Sequence, residues 1–225
     1  ANISYIRRRQ ERFADAIVAV QHARAASPDR RGYAELLAAL YRDDGNLPEA
    51  IQVLEELVRS NPEDDQYIFM LGGLYDEMGE KERCIALMRQ AIDLNPSNAA
   101  ALNYLGYTYA DMNMRLDEAE SLIRQALELE PNDGYYVDTL GWVFYQRGEY
   151  EEAVRYLERA LELTGDDPTI TEHLADAYQQ LGRTREALGL YQYAARRTED
   201  TEQAARLHDK IEQLRAATPA AHEAQ

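Results

Sequence analysis

Apolar side chains in this chain recur at helical spacing, in short stretches broken by turn residues. Around residue 140, Val137, Leu140, Gly141 and Phe144 fall at intervals of three and four, which puts them on one face of a helix. Gly148 follows, a residue suited to a left-handed turn that a β-carbon would strain. Beyond it Tyr150, Ala153, Leu157 and Ala160 form a second stripe of the same period. The pattern predicts two helices joined by a tight turn. Gly141 and Ala153 are small enough to let the two backbones approach closely.

The same unit returns along the chain. Pro28, Pro62, Pro96 and Pro131 are separated by 34, 34 and 35 residues. Leu37, Leu71, Leu105, Leu140 and Leu174 share one register, each followed by Ala38, Gly72, Gly106, Gly141 or Ala175. Tyr41, Tyr75, Tyr109, Phe144 and Tyr178 form an aromatic register, and Gly45, Gly79, Gly148 and Gly182 mark the turns. Small residues recur at Ala16, Ala50, Cys84, Ala119, Ala153 and Ala187. Asn46 and Glu49 have the spacing of a capping box, with Pro48 tolerated in the first turn of the helix that follows. One unit carries an extra residue between Tyr109 and Ala119, and there Asn113 stands where a left-handed glycine is expected. After Leu163 the usual proline is missing, and Pro168 is placed to open the next helix.

This pattern resembles the tetratricopeptide repeat over about residues 1–198: a bulky residue, Leu-Gly, Tyr, a turn Gly, two small positions and a Pro. The resemblance implies an all-α fold, a right-handed α-solenoid of helical hairpins. The expected organisation is repeats over 1–199, with a partial unit at about 1–30 and full ones at 31–64, 65–98, 99–133, 134–167 and 168–199. In the partial unit, a second helix is expected from Phe13 to about Ala26, with residue 1 inside the helix before it, so that further repeats or a tether are expected upstream. Residues 200–216 read as a capping helix, with Leu207, Ile211 and Leu214 on one side and charges on the other. The Ala-rich segment 217–225 is expected to be disordered.

Charge narrows the function. With 24 basic and 41 acidic residues the net charge is −17, and Arg7, Arg8 and Arg9 form the one basic cluster, which argues against nucleic acid. No run of 18 apolar residues is present to span a bilayer. The single cysteine, Cys84, makes an intrachain disulfide impossible and reads as a buried small residue. No phosphate-binding glycine motif, nucleophile elbow or His-Glu-x-x-His pair occurs, and His22, His173, His208 and His222 read as surface or groove residues. Paired acids such as Asp43-Asp44, Asp64-Asp65 and Asp166-Asp167 lie at turns and read as capping groups. The chain is therefore expected to be no enzyme, with no catalytic residues, cofactor or metal.

What remains is binding. The resemblance implies that the first helices of successive repeats line a groove, and that guests touch fixed positions of each. These positions hold Glu35, Arg42, Phe69, Asp76, Asn103, Tyr107, Asp111, Tyr135, Asp138, Trp142, Tyr145, Glu172, Asp176 and Gln179. The partner-binding set expected from them is Phe69, Asn103, Tyr107, Tyr135, Asp138, Trp142, Tyr145, Glu172, Asp176 and Gln179. Tyr107, Tyr135, Trp142 and Tyr145 concentrate large aromatics that the repeat core does not need, and such residues are enriched among binding hot spots. Two roles stay open for Trp142 and Tyr145: anchoring a guest, or packing between hairpins. The acids outweigh Arg42, so the expected guest is a protein or extended peptide with basic and apolar side chains, its encounter speeded by charge.

The stretch from Ala101 to Asp111, with Leu116-Asp117-Glu118-Ala119 and Asp138-Thr139-Leu140-Gly141-Trp142-Val143, looks like a bacterial subgroup of these repeats. Outer-membrane lipoproteins that bring substrates to a C-terminal-processing protease belong to it. That likeness implies a scaffold or adaptor at the periplasmic face of the outer membrane; without it, the expected place is the cytoplasm. The alternatives are a structural spacer in a longer repeat array and a non-catalytic part of an enzyme complex.

Overall fold

The computed structural model describes residues 2–27 and 30–217, with side chains from Arg12 to Ala216. Pro28, the side chains of the Arg7–Arg9 cluster and the tail from residue 218 on lie outside the described residues. Among the described residues the fold is all-α. Its helices are α1 (Asn2–Ala26), α2 (Arg31–Asp43), α3 (Leu47–Ser60), α4 (Asp65–Glu77), α5 (Lys81–Leu94), α6 (Ala99–Asp111), α7 (Leu116–Leu129), α8 (Gly134–Gln146), α9 (Tyr150–Thr164), α10 (Pro168–Gln180), α11 (Thr184–Arg197) and α12 (Thr201–Ala217). They fall into two compact units that divide between Ala101 and Leu102. No described helix is long and apolar enough to cross a membrane.

The first unit closes around Leu37, Leu54, Leu57, Leu71 and Leu74, with Tyr67 and Tyr75 buried among them. In the second, Leu105, Tyr109, Ile123, Leu140, Leu157, Tyr191 and Leu207 are fully enclosed. Each hairpin depends on its small residues. A β-carbon on Gly141 would lie 2.8 Å from Leu157 Cγ and 3.3 Å from the Leu157 backbone nitrogen, so the backbones of α8 and α9 pack at a distance only glycine allows. At three positions the aromatic register ties a first helix to the helix before it. The Tyr75 hydroxyl donates to Glu55 at 2.8 Å, that of Tyr178 donates to Glu158 at 2.5 Å, and that of Tyr41 accepts from Gln21 at 2.9 Å. Phe144 has no hydroxyl and stacks on Tyr156 of its own hairpin, with centroids 5.1 Å apart.

The turns follow the expected chemistry where glycine is present: Gly45, Gly79, Gly148 and Gly182 all have positive φ. Asn113 takes the left-handed conformation in their stead, at φ 48°. The extra residue there also forces Arg115 to φ 49°, which the sequence did not signal. Pro168 opens α10 as expected, one residue after the capping Asp167.

Two expectations are corrected. α1 is one continuous helix from Asn2 to Ala26, with no turn before Phe13. The physical reason lies in Ile6-Arg7-Arg8-Arg9-Gln10-Glu11-Arg12, a run of helix formers without glycine or proline. Asn46 precedes α3, but its side chain makes no cap hydrogen bond, so no capping box forms. Asp64 and Asp167 do cap, each accepting from two backbone N–H groups of its helix.

Candidate partner-binding site

The expected site residues cluster most densely in the second unit. Asp133 starts α8 by accepting hydrogen bonds from the backbone of Tyr135 (2.8 Å) and Tyr136 (3.1 Å). The helix then carries Tyr135, Asp138, Trp142 and Tyr145 at spacings of three and four, along one face. Asp167 starts α10 in the same way and sets out Glu172, His173, Asp176 and Gln179.

Three rings stack where α8 meets α10. Trp142 lies 4.6 Å from Tyr145, nearly parallel at 5°, and 4.4 Å from His173 at 22°. Tyr150 closes the far side of Tyr145, edge-on at 5.5 Å, and the Tyr145 hydroxyl accepts from Gln180 at 3.4 Å. Asp138 is buried and its Oδ1 lies 2.9 Å from His173 Nδ1. Burial disfavours the imidazolium, but the charge of Asp138 and its hydrogen bond outweigh this, aided by Asp176 and Glu172, and raise the His173 pKa. Trp142 is half-buried, and its indole Nε1 is shut away from solvent without a hydrogen-bond partner. Asn103 Oδ1, on α6, is in the same state. Such atoms cost about 1–3 kcal/mol each when left unpaired.

Tyr135 stands apart from the stack. It is 57 % exposed, the most open of the large apolar side chains described, and its hydroxyl reaches Asp167 at 3.5 Å. Tyr107, on α6, is half-buried.

The acidic residues of α10 face α12. Glu172 is 4 % exposed and receives Gln203 Nε2 at 3.0 Å, Arg206 Nε at 3.0 Å and Lys210 Nζ at 2.9 Å. Burial alone would raise its pKa, but the bonds from Arg206, Lys210 and Gln203 prevail and hold it at about 2. Asp176 takes Lys210 at 2.6 Å and the Tyr191 hydroxyl at 2.5 Å. The same phenol oxygen lies 2.8 Å from the Gln179 side-chain amide, which stays at the surface. Burial, then Asp176, push the Tyr191 phenol far up.

The acids that suggested a basic guest are largely engaged within the chain. Glu35 accepts from Tyr67 at 2.5 Å, Asp76 pairs with Lys81 at 2.8 Å, Asp138 with His173, and Glu172 and Asp176 with α12. Phe69 belongs to the first unit, on α4, half-buried beside the exposed Met70, whose register-mate Leu36 is also exposed. Among the described residues no three His, Cys, Asp or Glu side chains are grouped to hold a metal ion.

Tetratricopeptide-repeat family profiles match residues 3–65, 141–182 and 169–199, and the profile described as anaphase-promoting complex, cyclosome, subunit 3 matches residues 43–126. The chain is built of tetratricopeptide repeats. A tetratricopeptide repeat protein from Parabacteroides merdae has the same fold, with a TM-score of 0.76 at 20% identity over 95% of this chain and 86% of its own. PilW, described as a widely conserved type IV pilus biogenesis factor, superposes with a TM-score of 0.72 at 20% identity over 85% and 89%. TTC0263, a tetratricopeptide protein of Thermus thermophilus, gives 0.68 at 22% over 78% and 95%. No curated protein matches the chain.

The repeat explains which residues meet. Arg206 and Lys210 follow Glu172 and Asp176 by 34 residues each, one tetratricopeptide period on. α12 therefore stands to α10 as the first helix of a further repeat would, and opposite charges occupy equivalent phases. The sequence reading marked α12 as a cap but missed Arg206, Lys210 and Gln203 as partners of Glu172; carrying the period past residue 200 would have found them. It read His173 as a surface or groove residue and missed its pairing with Asp138, 35 residues before it.

Proposed function

We propose that the second unit binds an extended segment of a partner protein against the α8–α10 face, with Tyr135, Trp142, Tyr145 and Tyr107 as its aromatic anchors. Tetratricopeptide repeats in general mediate protein–protein interaction, which sets the class of function. The observation that carries the reading is the ring stack. Trp142 is fixed between Tyr145 and His173, and the open Tyr135 lies on the same helix face. A guest side chain meets rings already held in place, so little rotamer entropy is lost on binding. Gln179, exposed on α10, supplies a polar group beside this face, and Asn103 is a proposed contact on α6.

Because Glu172 and Asp176 are neutralised by Arg206 and Lys210 and Asp138 is held by His173, the anchoring is aromatic and apolar, and basic guest residues contribute little. The bacterial likeness adds an adaptor role to the proposal: the chain would hold one protein for delivery to a second, such as a C-terminal-processing protease in the periplasm. A peptide-display selection on the whole chain, followed by Trp142 emission during titration with the selected peptides, tests the reading. Emission that shifts saturably supports it. Peptides that bind without moving the emission, and bind Trp142→Ala equally well, overturn it.

A further inference from the structure

His173 is the imidazole of the ring stack, a group whose ordinary pKa of 6.5 lies close to neutrality, and it sits where two helices join. Its ring is 12 % exposed, with Asp138 of α8 at 2.9 Å on Nδ1 and the Trp142 ring at 4.4 Å across its face. We propose that His173 is a proton-operated latch: protonated, it locks Trp142 in the aromatic wall of the partner site; deprotonated, it lets that ring loosen. The inference rests on the proposed function for its biological use, but the latch itself is a property of the free chain.

The charges around His173 leave Asp138 as its effective partner. On its own helix, Glu172 and Asp176 are nearby, but Arg206 and Lys210 of α12 neutralise both. From α11, the Tyr191 hydroxyl is spent on Asp176 and stays protonated. On α9, Glu158 is taken by the Tyr178 hydroxyl. Glu172 is held well below and Arg206 above its ordinary value, so the imidazole is the group whose charge moves. As imidazolium it gains twice on the α8 side, through the carboxylate of Asp138 and through attraction to the indole face. With the proton gone, both contacts weaken together. The sign follows from the raised pKa: the extra grip is complete below the ordinary histidine value of 6.5 and is lost as pH rises through the higher folded value. The guest is therefore held more firmly on the acid side of neutrality.

Trp142 is the sole tryptophan of the chain, so its emission reads the latch directly. A protonated imidazole stacked on an indole quenches it. Emission of the intact chain, without any guest, is followed from pH 5 to 9. It should rise with pH in one step whose midpoint lies above 6.5. In Asp138→Asn the midpoint should fall, because the opposing charge is gone. His173→Gln should abolish the step, and His208→Gln should leave it in place. The wild-type imidazole C–H resonance of His173, followed by NMR over the same range, must give the same midpoint, which keeps the test valid if a variant misfolds. A flat profile, or a midpoint that Asp138→Asn leaves unmoved, overturns the latch whatever becomes of partner binding. A titrating emission beside peptides that never engage Trp142 would overturn the proposed function alone.

Discussion

Lys210 and Asp176 face each other one repeat apart, with Nζ 2.6 Å from Oδ1 and 2.9 Å from Oδ2. The same ammonium reaches Glu172 at 2.9 Å, so one cation from α12 serves both α10 acids. α12 thus does more than cover apolar surface: it settles the charge of α10. Replacing Lys210 by Met keeps the aliphatic stem and leaves two enclosed carboxylates short of a partner. The expected loss is about 2–4 kcal/mol of unfolding free energy, read by urea denaturation. A loss below about 0.5 kcal/mol, as for an exposed surface pair, would show that the bridge is not formed.

Glu172 makes the fold acid-sensitive at a defined place. Its pKa is about 2 in the folded chain against an ordinary 4.5, so its stabilisation is complete above 4.5 and drains away as pH falls toward 2. On the order of 3 kcal/mol is at stake. Glu172→Gln should unfold more easily at pH 7 and show a flatter pH dependence between 4.5 and 2 than the wild type, in urea titrations repeated across that range.

The close approach of α8 and α9 gives a sharp contrast at neighbouring positions. Leu140→Ala removes fully buried methyl groups and should cost about 2–5 kcal/mol. Gly141→Ala adds one carbon that would sit 2.8 Å from Leu157 Cγ, and overpacking of this kind costs about 1–3 kcal/mol. Thermal unfolding followed by circular dichroism measures both. A neutral Gly141→Ala would mean that the hairpin can open without penalty.

Guest binding should depend little on salt. The sequence alone suggested acidic steering, yet Glu35, Asp76, Asp138, Glu172 and Asp176 all have partners within the chain. Raising salt from 0.05 to 0.5 M shortens the screening length to a few ångströms, and affinity should change by less than about threefold if aromatic burial dominates. A fall of tenfold or more, measured by fluorescence anisotropy, would restore the basic guest.

Much of the fold was legible because the repeat draws on few residue types at each position. Only Gly fits at Gly141 without displacing Leu157, and only a left-handed residue fits at Gly148 or Asn113. The start of the chain was less legible: period alone suggested a hairpin around Phe13, while the uninterrupted helix formers from Ile6 to Arg12 carried α1 straight through. The site was half legible. Tyr135, Trp142 and Tyr145 stand out as aromatics beyond the needs of the core. The state of Glu172 and Asp138 did not, because a carboxylate at a groove position reads the same whether it faces water or a cation one repeat away. Which it does depends on residues 34 and 35 further on, His173 and Arg206 among them.

The central claim, that the α8 face grips a guest through its rings, is tested most directly at Tyr135, whose side chain is open and whose loss leaves the core untouched. Affinity for a display-selected peptide is measured for wild type and Tyr135→Ala, with Leu129→Ala, exposed on α7, as the control. The account predicts a weakening of about tenfold or more for Tyr135→Ala, in the range of hot-spot truncations, with unfolding curves unchanged and Leu129→Ala binding like wild type. Equal affinity for wild type and Tyr135→Ala would contradict it.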